Sequence, residues 1–183
     1  CLVLSYAQWY PDWSREYKSD YNEQGYLFEL LTKESVAASF PEWKVHLTGW
    51  AKTKPEKLPD VVEKVANILS EPVGDIKRWA SEHANEAGLD LLFYHPFYDD
   101  RVGLPVFLMQ CASGKNYSEK FHTPDLKIWR RIVDFTTTPR KAFAMPFALT
   151  DTDFIRACNV VDGLLLDRYR LLSPGRSNPD WVS

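Results

Sequence analysis

The chain is poor in cysteine. Its three cysteines, Cys1, Cys111 and Cys158, are odd in number and none belongs to a C-x-x-C pair. That fits a reduced, cytoplasmic compartment better than a secreted disulfide framework. The four histidines, His46, His83, His95 and His122, share no spacing, so no zinc pattern is present and a structural role is expected for each. No apolar run approaches the roughly 20 residues that cross a bilayer, so no membrane partner is expected. A basic excess is also lacking: 22 Lys and Arg stand against 25 Asp and Glu, for a net charge of −3. The chain is therefore no polycation, although a basic groove on an acidic protein stays open. There is no glycine-rich phosphate loop or dinucleotide fingerprint, which leaves a small-molecule reading without a motif. Internal repeats and low-complexity segments are absent as well.

What remains is ample for a folded core. At 183 residues the chain is expected to form a single domain, with 45% hydrophobic, 26% charged and 14% aromatic residues. Residues 1–24 start apolar and become charged, as a cap or linker would, and 173–183 read as a tail. The chain starts at Cys1 rather than Met, so it is expected to be part of a longer protein with a partner protein or further domain.

Residues 26–40 carry Leu27, Leu30, Leu31 and Ala38 at helical spacing and end before Pro41. Glu29 falls off that face and can pair with Lys33 at i+4, whereas Glu34 falls on it. Residues 43–50 alternate as a half-buried strand. After a basic loop over 52–57, two helices are expected at 58–69 and 75–87, with Gly88 as the stop of the second. Residues 123–135 read as a helix with Thr123 as cap and Pro124 at its first position. A strand over 141–149, with Pro146 marking an edge or an end, a helix over 151–161 stopped by Gly163, and a partly exposed strand over 164–172 complete the chain.

Between these lies the stretch 89–120, LDLLFYHPFYDDRVGLPVFLMQCASGKNYSEK. It reads as a β-hairpin, 89–97 and 104–112, turning about Asp100 and Arg101. Such pairing brings Asp90, at the start of the first strand, close to Gln110, at the end of the second, with Lys115 just beyond. A carboxylate, an amide and a lysine at one end of a sheet form the candidate site. Each also has a structural reading: Asp90 closing a turn, Gln110 bonded to backbone, Lys115 solvated, Glu29 paired with Lys33.

The order of elements together with these residues resembles the PD-(D/E)xK, or restriction endonuclease-like, nuclease superfamily. The resemblance implies an α/β fold: an αβββαβ core with a mixed central sheet flanked by helices, here with a two-helix insertion. It maps the family's first acid onto Asp90 and its second, often Gln, onto Gln110. The family lysine would fall at Ala112, so the resemblance makes Lys115 a migrated replacement. A glutamate from the first core helix often joins such sites, which implies Glu29, with Glu34 as the other candidate. The resemblance further implies a Mg²⁺ or Mn²⁺ cofactor held by Asp90, Gln110, the carbonyl of Cys111 and Glu29. It implies DNA as partner, with Lys127, Arg130, Arg131, Arg140 and Lys141 as the phosphate-contacting face; a solvated helix face is the alternative. The expected function is a metal-dependent DNA endonuclease of a bacterial defence or restriction system. The other reading is a catalytically degenerate domain of this fold that binds nucleic acid or serves assembly.

Overall fold

The computed structural model describes residues 21–48, 57–77 and 88–176. The elements in chain order are α1 (Tyr21–Ser39), β1 (Lys44–Leu47), α2 (Leu58–Leu69), β2 (Leu91–Tyr94), β3 (Val106–Cys111), α3 (Leu126–Ile132), β4 (Arg140–Ala144), α4 (Asp151–Val161), β5 (Leu164–Leu166) and α5 (Arg168–Leu172). A 3₁₀ turn, Tyr117–Lys120, lies between β3 and α3.

The five strands form one mixed sheet in the order β1-β2-β3-β4-β5. The first three pair antiparallel, and β3–β4 and β4–β5 pair parallel. The expected hairpin is present, with Leu91 opposite Met109 and Tyr94 opposite Val106. Its strands are apolar apart from Tyr94 and Gln110, because both sheet faces are covered. Leu91, Phe93 and Met109 pack with Phe28 and Val36 of α1. Leu92, Val106 and Leu108 pack with Val62 and Val65 of α2 and Trp129 of α3. Phe143 and Leu165 extend that second layer against Ala157 and Val161 of α4. The Phe93 and Phe107 rings stack at 4.8 Å across the first two paired strands of the hairpin. The molecule is thus an α/β protein with helices on both faces of its sheet.

Several boundaries differ from the sequence reading. In α1 the buried stripe runs through Phe28, Glu29, Thr32, Ser35 and Val36, while Leu27 is 51% exposed. The bulky Phe28 sets the rotation of the helix. The small polar residues beside it have local partners: Thr32 Oγ1 donates to the Phe28 carbonyl at 2.8 Å and Ser35 Oγ to the Leu171 carbonyl at 2.7 Å. Glu29 therefore faces inward rather than outward, and Glu34 is exposed. The helix after the hairpin is capped by Asp125, which accepts from the amides of Lys127 and Ile128, not by Thr123. Asp162, in the left-handed region at φ 51°, closes α4 one residue before Gly163. The last strand is only Leu164–Leu166, because Asp167 caps α5 by accepting from the Arg170 amide. Pro146 lies beyond the end of β4, which is an interior strand. Asp75, Ile76 and Lys77 are not helical. The rest of the helix expected over 75–87, the loop 52–56, residues 1–20 and the tail 177–183 lie outside the described residues.

Phe28 couples the packing of α1 to the placement of Glu29. Phe28→Ala is expected to destabilise the fold by about 3–5 kcal/mol in urea unfolding, on the scale of cavities left by deleted core aromatics.

Candidate active site

Asp90 immediately precedes β2, so it lies at the sheet edge formed by the carboxyl ends of β1, β3 and β4. In open α/β sheets that edge is where ligands bind. Its backbone is held on both sides: the amide donates to the Met109 carbonyl at 2.9 Å, and its carbonyl accepts from the Thr48 amide at 3.0 Å. Its side chain turns into the sheet edge. Asp90 Oδ2 accepts from the Cys111 amide at 2.6 Å and, at short range, from Gln110 Nε2. Gln110 Nε2 also donates to the Cys111 carbonyl at 3.1 Å. At its other end, Gln110 Oε1 accepts from Thr123 Oγ1 at 3.1 Å.

Gly88 makes room for this arrangement. Its φ is +48°, and a Cβ there would lie 2.5 Å from Thr123 Cβ and 2.7 Å from Gln110 Oε1. Backbone conformation and close approach thus both require glycine at this position.

Glu29, on α1, is 7% exposed. Burial, and next the charge of Asp90, raise its carboxyl from 4.5 to about 9, against the opposing charge of Lys120. Burial raises Asp90 from 3.8 to about 6, against the Cys111 N–H and again Lys120. Burial, then Asp90 and Glu29, push the Cys111 thiol up as well, with a Thr32 hydrogen bond opposing. A contrast is set by Glu71, which is also buried but accepts from the Gly103 amide and from the amide and hydroxyl of Thr136, at 3.1, 3.1 and 2.8 Å. Glu71 is a satisfied structural acid, whereas Glu29 is raised by burial and by the charge of Asp90.

Of the residues expected from sequence, Asp90, Gln110 and the Cys111 backbone are hydrogen-bonded together, and Glu29 is buried within electrostatic reach of Asp90. Lys115 is exposed on the loop that follows β3. Ala112, where the resemblance would put a lysine, is 2% exposed and packed with Phe121 and Phe143. The basic group divides. Lys127, Arg130 and Arg131 are exposed on α3. Arg140 and Lys141 start β4, opposite Phe107 and Leu108, away from the end where Gln110 and Cys111 sit. There they line a cleft of about 590 Å³ with Phe107, Leu126 and Asp162. Lys141 Nζ is tied to the Phe121 carbonyl at 3.1 Å, and burial lowers its pKa.

Two residues escaped the sequence reading. Lys120 is the lysine whose charge acts on both Glu29 and Asp90. Thr123 bonds Gln110 rather than capping a helix. No periodicity marks the segment that carries them; the only available signal was a lysine in a loop following the hairpin.

Among the described residues no three or more His, Cys, Asp and Glu side chains form a metal-holding group. The oxygen donors here are two carboxylates, one amide and one backbone carbonyl. All are hard oxygens, the class that suits Mg²⁺ or Mn²⁺. No protein-family model, curated protein or solved structure matches the chain.

The two raised acids predict a specific pH dependence. Below about 4.5 Glu29 is protonated whether the chain is folded or unfolded, and between 4.5 and about 9 only the folded state keeps the proton. Stability of the metal-free protein therefore falls as pH rises through that window, with Asp90 adding to the fall between 3.8 and about 6. Glu29→Gln is expected to flatten the slope and to raise stability at pH 8.5 by on the order of 1–3 kcal/mol. Melting curves from pH 5 to 9.5 measure it; an unchanged slope in the variant would show that Glu29 is not the acid responsible.

Proposed function

We propose that the protein is a metal-dependent phosphodiesterase, acting on DNA as an endonuclease, with the αβββαβ core of the restriction endonuclease-like superfamily. One observation carries the reading: Glu29 of α1 and Asp90, at the carboxyl edge of the sheet, are both buried, and the charge of Asp90 acts on Glu29. Such a pair is costly to hold in a fold, and a cation bound there would offset the cost. The element order supports the same reading, since α1, the antiparallel β1-β2-β3, α3 and the parallel β4 follow one another as in that core. This part is analogy at the level of fold.

Glu29, Asp90, the Gln110 amide oxygen and the Cys111 carbonyl are the groups that would hold the ion. A bound divalent ion supplies Lewis-acid charge on the phosphate and a water of lowered pKa. The residues of the chain do the rest. Asp90, the more acidic of the two, anchors the site through the Cys111 amide. Glu29 keeps its proton at neutral pH in the metal-free protein, a proton that a bound cation would displace. The reaction is hydrolysis: the water oxygen bonds to phosphorus and the bond to the leaving sugar oxygen breaks. The proton lost by water is balanced by the one the leaving oxygen takes up from solvent. This reading includes a role in bacterial defence or restriction as the family's habitual setting.

A second reading, a degenerate nucleic-acid-binding or assembly module, has one observation in its favour. The Gln110 NH₂ donates to Asp90 and to the Cys111 carbonyl, the very oxygens a cation would take. For an ion to bind, the amide must turn end for end and present Oε1.

Plasmid cleavage with Mg²⁺ or Mn²⁺, beside Mn²⁺ titration calorimetry, separates the two. Cleavage is expected, abolished by chelator, and reduced more than about 100-fold in Asp90→Ala. Gln110→Glu, which has oxygens at both ends, is expected to bind Mn²⁺ about tenfold more tightly. Cleavage that survives Asp90→Ala removes the site assignment; DNA binding with no cleavage under any condition supports the module.

A further inference from the structure

A cleft of about 590 Å³ opens where β4 and β5 begin, at the opposite end of β3 and β4 from Gln110 and Cys111. That volume is in the range of small-molecule sites. Phe107 of β3, Leu126 of α3 and Leu164 of β5 give it half-buried apolar walls, and Arg140, Lys141 and Asp162 add charge.

The backbone sets these charged groups in place. Gly163 lets the turn between α4 and β5 close onto β4, since a Cβ there would lie 2.2 Å from the Lys141 carbonyl oxygen. The same close approach brings Asp162, which ends α4 at φ 51°, beside the start of β4. Lys141 Nζ is held by the Phe121 carbonyl at 3.1 Å. Among the described residues neither Arg140 nor Lys141 forms an ion pair, and the Asp162 carboxylate accepts no hydrogen bond. Burial works against the charge of Lys141, and the charges of Asp162 and Asp125 only partly offset it. The lining thus carries two cations against one acid, with donors and an acceptor still to be satisfied.

Each part of the lining fits a different part of one ligand. The guanidinium fork and the ammonium suit a phosphate monoester, which carries nearly two negative charges at neutral pH. The apolar walls suit a flat ring, and Asp162 suits a hydroxyl or amino donor. We propose that this cleft binds a nucleoside monophosphate, with its phosphate on Arg140 and Lys141, its base against Phe107, Leu126 and Leu164, and a ribose hydroxyl or base amino group on Asp162. A free nucleotide and the 5′-phosphorylated end of a strand present this same chemistry. The cleft shares no residue with the carboxyl edge of the sheet, so this reading stands or falls apart from the metal-dependent one.

The test is titration calorimetry of the full chain in EDTA, with AMP, adenosine and inorganic phosphate as probes. AMP is expected to bind with a Kd below about 1 mM, and adenosine and phosphate each about tenfold or more weakly than AMP. Arg140→Ala, at an exposed position where folding is undisturbed, should lower AMP affinity about tenfold, and Lys141→Met should act likewise. Arg156→Ala removes the same charge from exposed α4, where it pairs with Asp153 at 3.5 Å, and should stay within about twofold of the parent. Asp162→Asn, a residue that also tolerates the left-handed backbone, should bind inorganic phosphate more tightly and so narrow the preference for AMP.

A 5′-phosphorylated tetranucleotide that matches AMP identifies the strand end as the source, and one that binds more weakly identifies the free nucleotide. No AMP binding, or AMP binding unchanged in both Arg140→Ala and Lys141→Met, overturns the site. Inorganic phosphate as tight as AMP removes the nucleoside from the assignment. Displacement of AMP by a blunt duplex with 5′-hydroxyl ends, at equal phosphate concentration, also overturns it, because Arg140 and Lys141 would then be contacts to a nucleic-acid backbone.

Discussion

Asp90 is held by a hydrogen bond from the Cys111 amide and another from the Gln110 side chain, and much of the sheet edge is arranged around it. Both donors belong to β3, so the carboxylate is fixed only when the hairpin pairs in its observed register. A slip of one residue would turn Gln110 to the other face of the sheet. The backbone of Asp90 also bridges β1 and β3, through the Thr48 amide on one side and the Met109 carbonyl on the other. One residue thus closes three strands and supplies the charge on which the site depends.

Around this anchor the molecule sets two opposing demands. Packing Phe28 against Phe93 and Met109 buries the face of α1 that carries Glu29. Hydrophobic burial of that helix outweighs the cost of bringing a second carboxylate toward Asp90, and the cost is expressed in where the protons sit. Glu71 shows what the same fold does with a carboxylate whose role is to hold loops together: it surrounds it with donors. The different treatment of the two glutamates is the physical basis for reading one as structural and the other as functional.

The proposed chemistry and the observed hydrogen bonds meet at Gln110. Its amide is satisfied at both ends, by Asp90 and the Cys111 carbonyl on one side and by Thr123 on the other. An amide has one donor end and one acceptor end of similar shape, so turning it exchanges a closed site for one with an inward oxygen at little steric cost. Gly88 keeps the slot open for that group.

Much of the layer order was legible from composition and period. The apolar runs of the hairpin, the helical stripe of α2 over Leu58–Leu69 and the Thr150-capped α4 are local signals, and local signals survive folding. Asp90 and Gln110 were legible because a hairpin fixes which residues face each other. Glu29 was named for the site only through the family resemblance, and its inward orientation was missed. Its direction depends on how Phe28 docks on a sheet built from strands far along the chain. Thr123 was read only as a helix cap for the same reason, being a loop residue whose hydroxyl reaches Gln110 only in the folded chain. The sequence by itself determined an α/β chain with a polar hairpin end. Which acid is buried within reach of the charge of Asp90 was decided only by tertiary packing, because side-chain direction in helices and loops is set by contacts between distant segments.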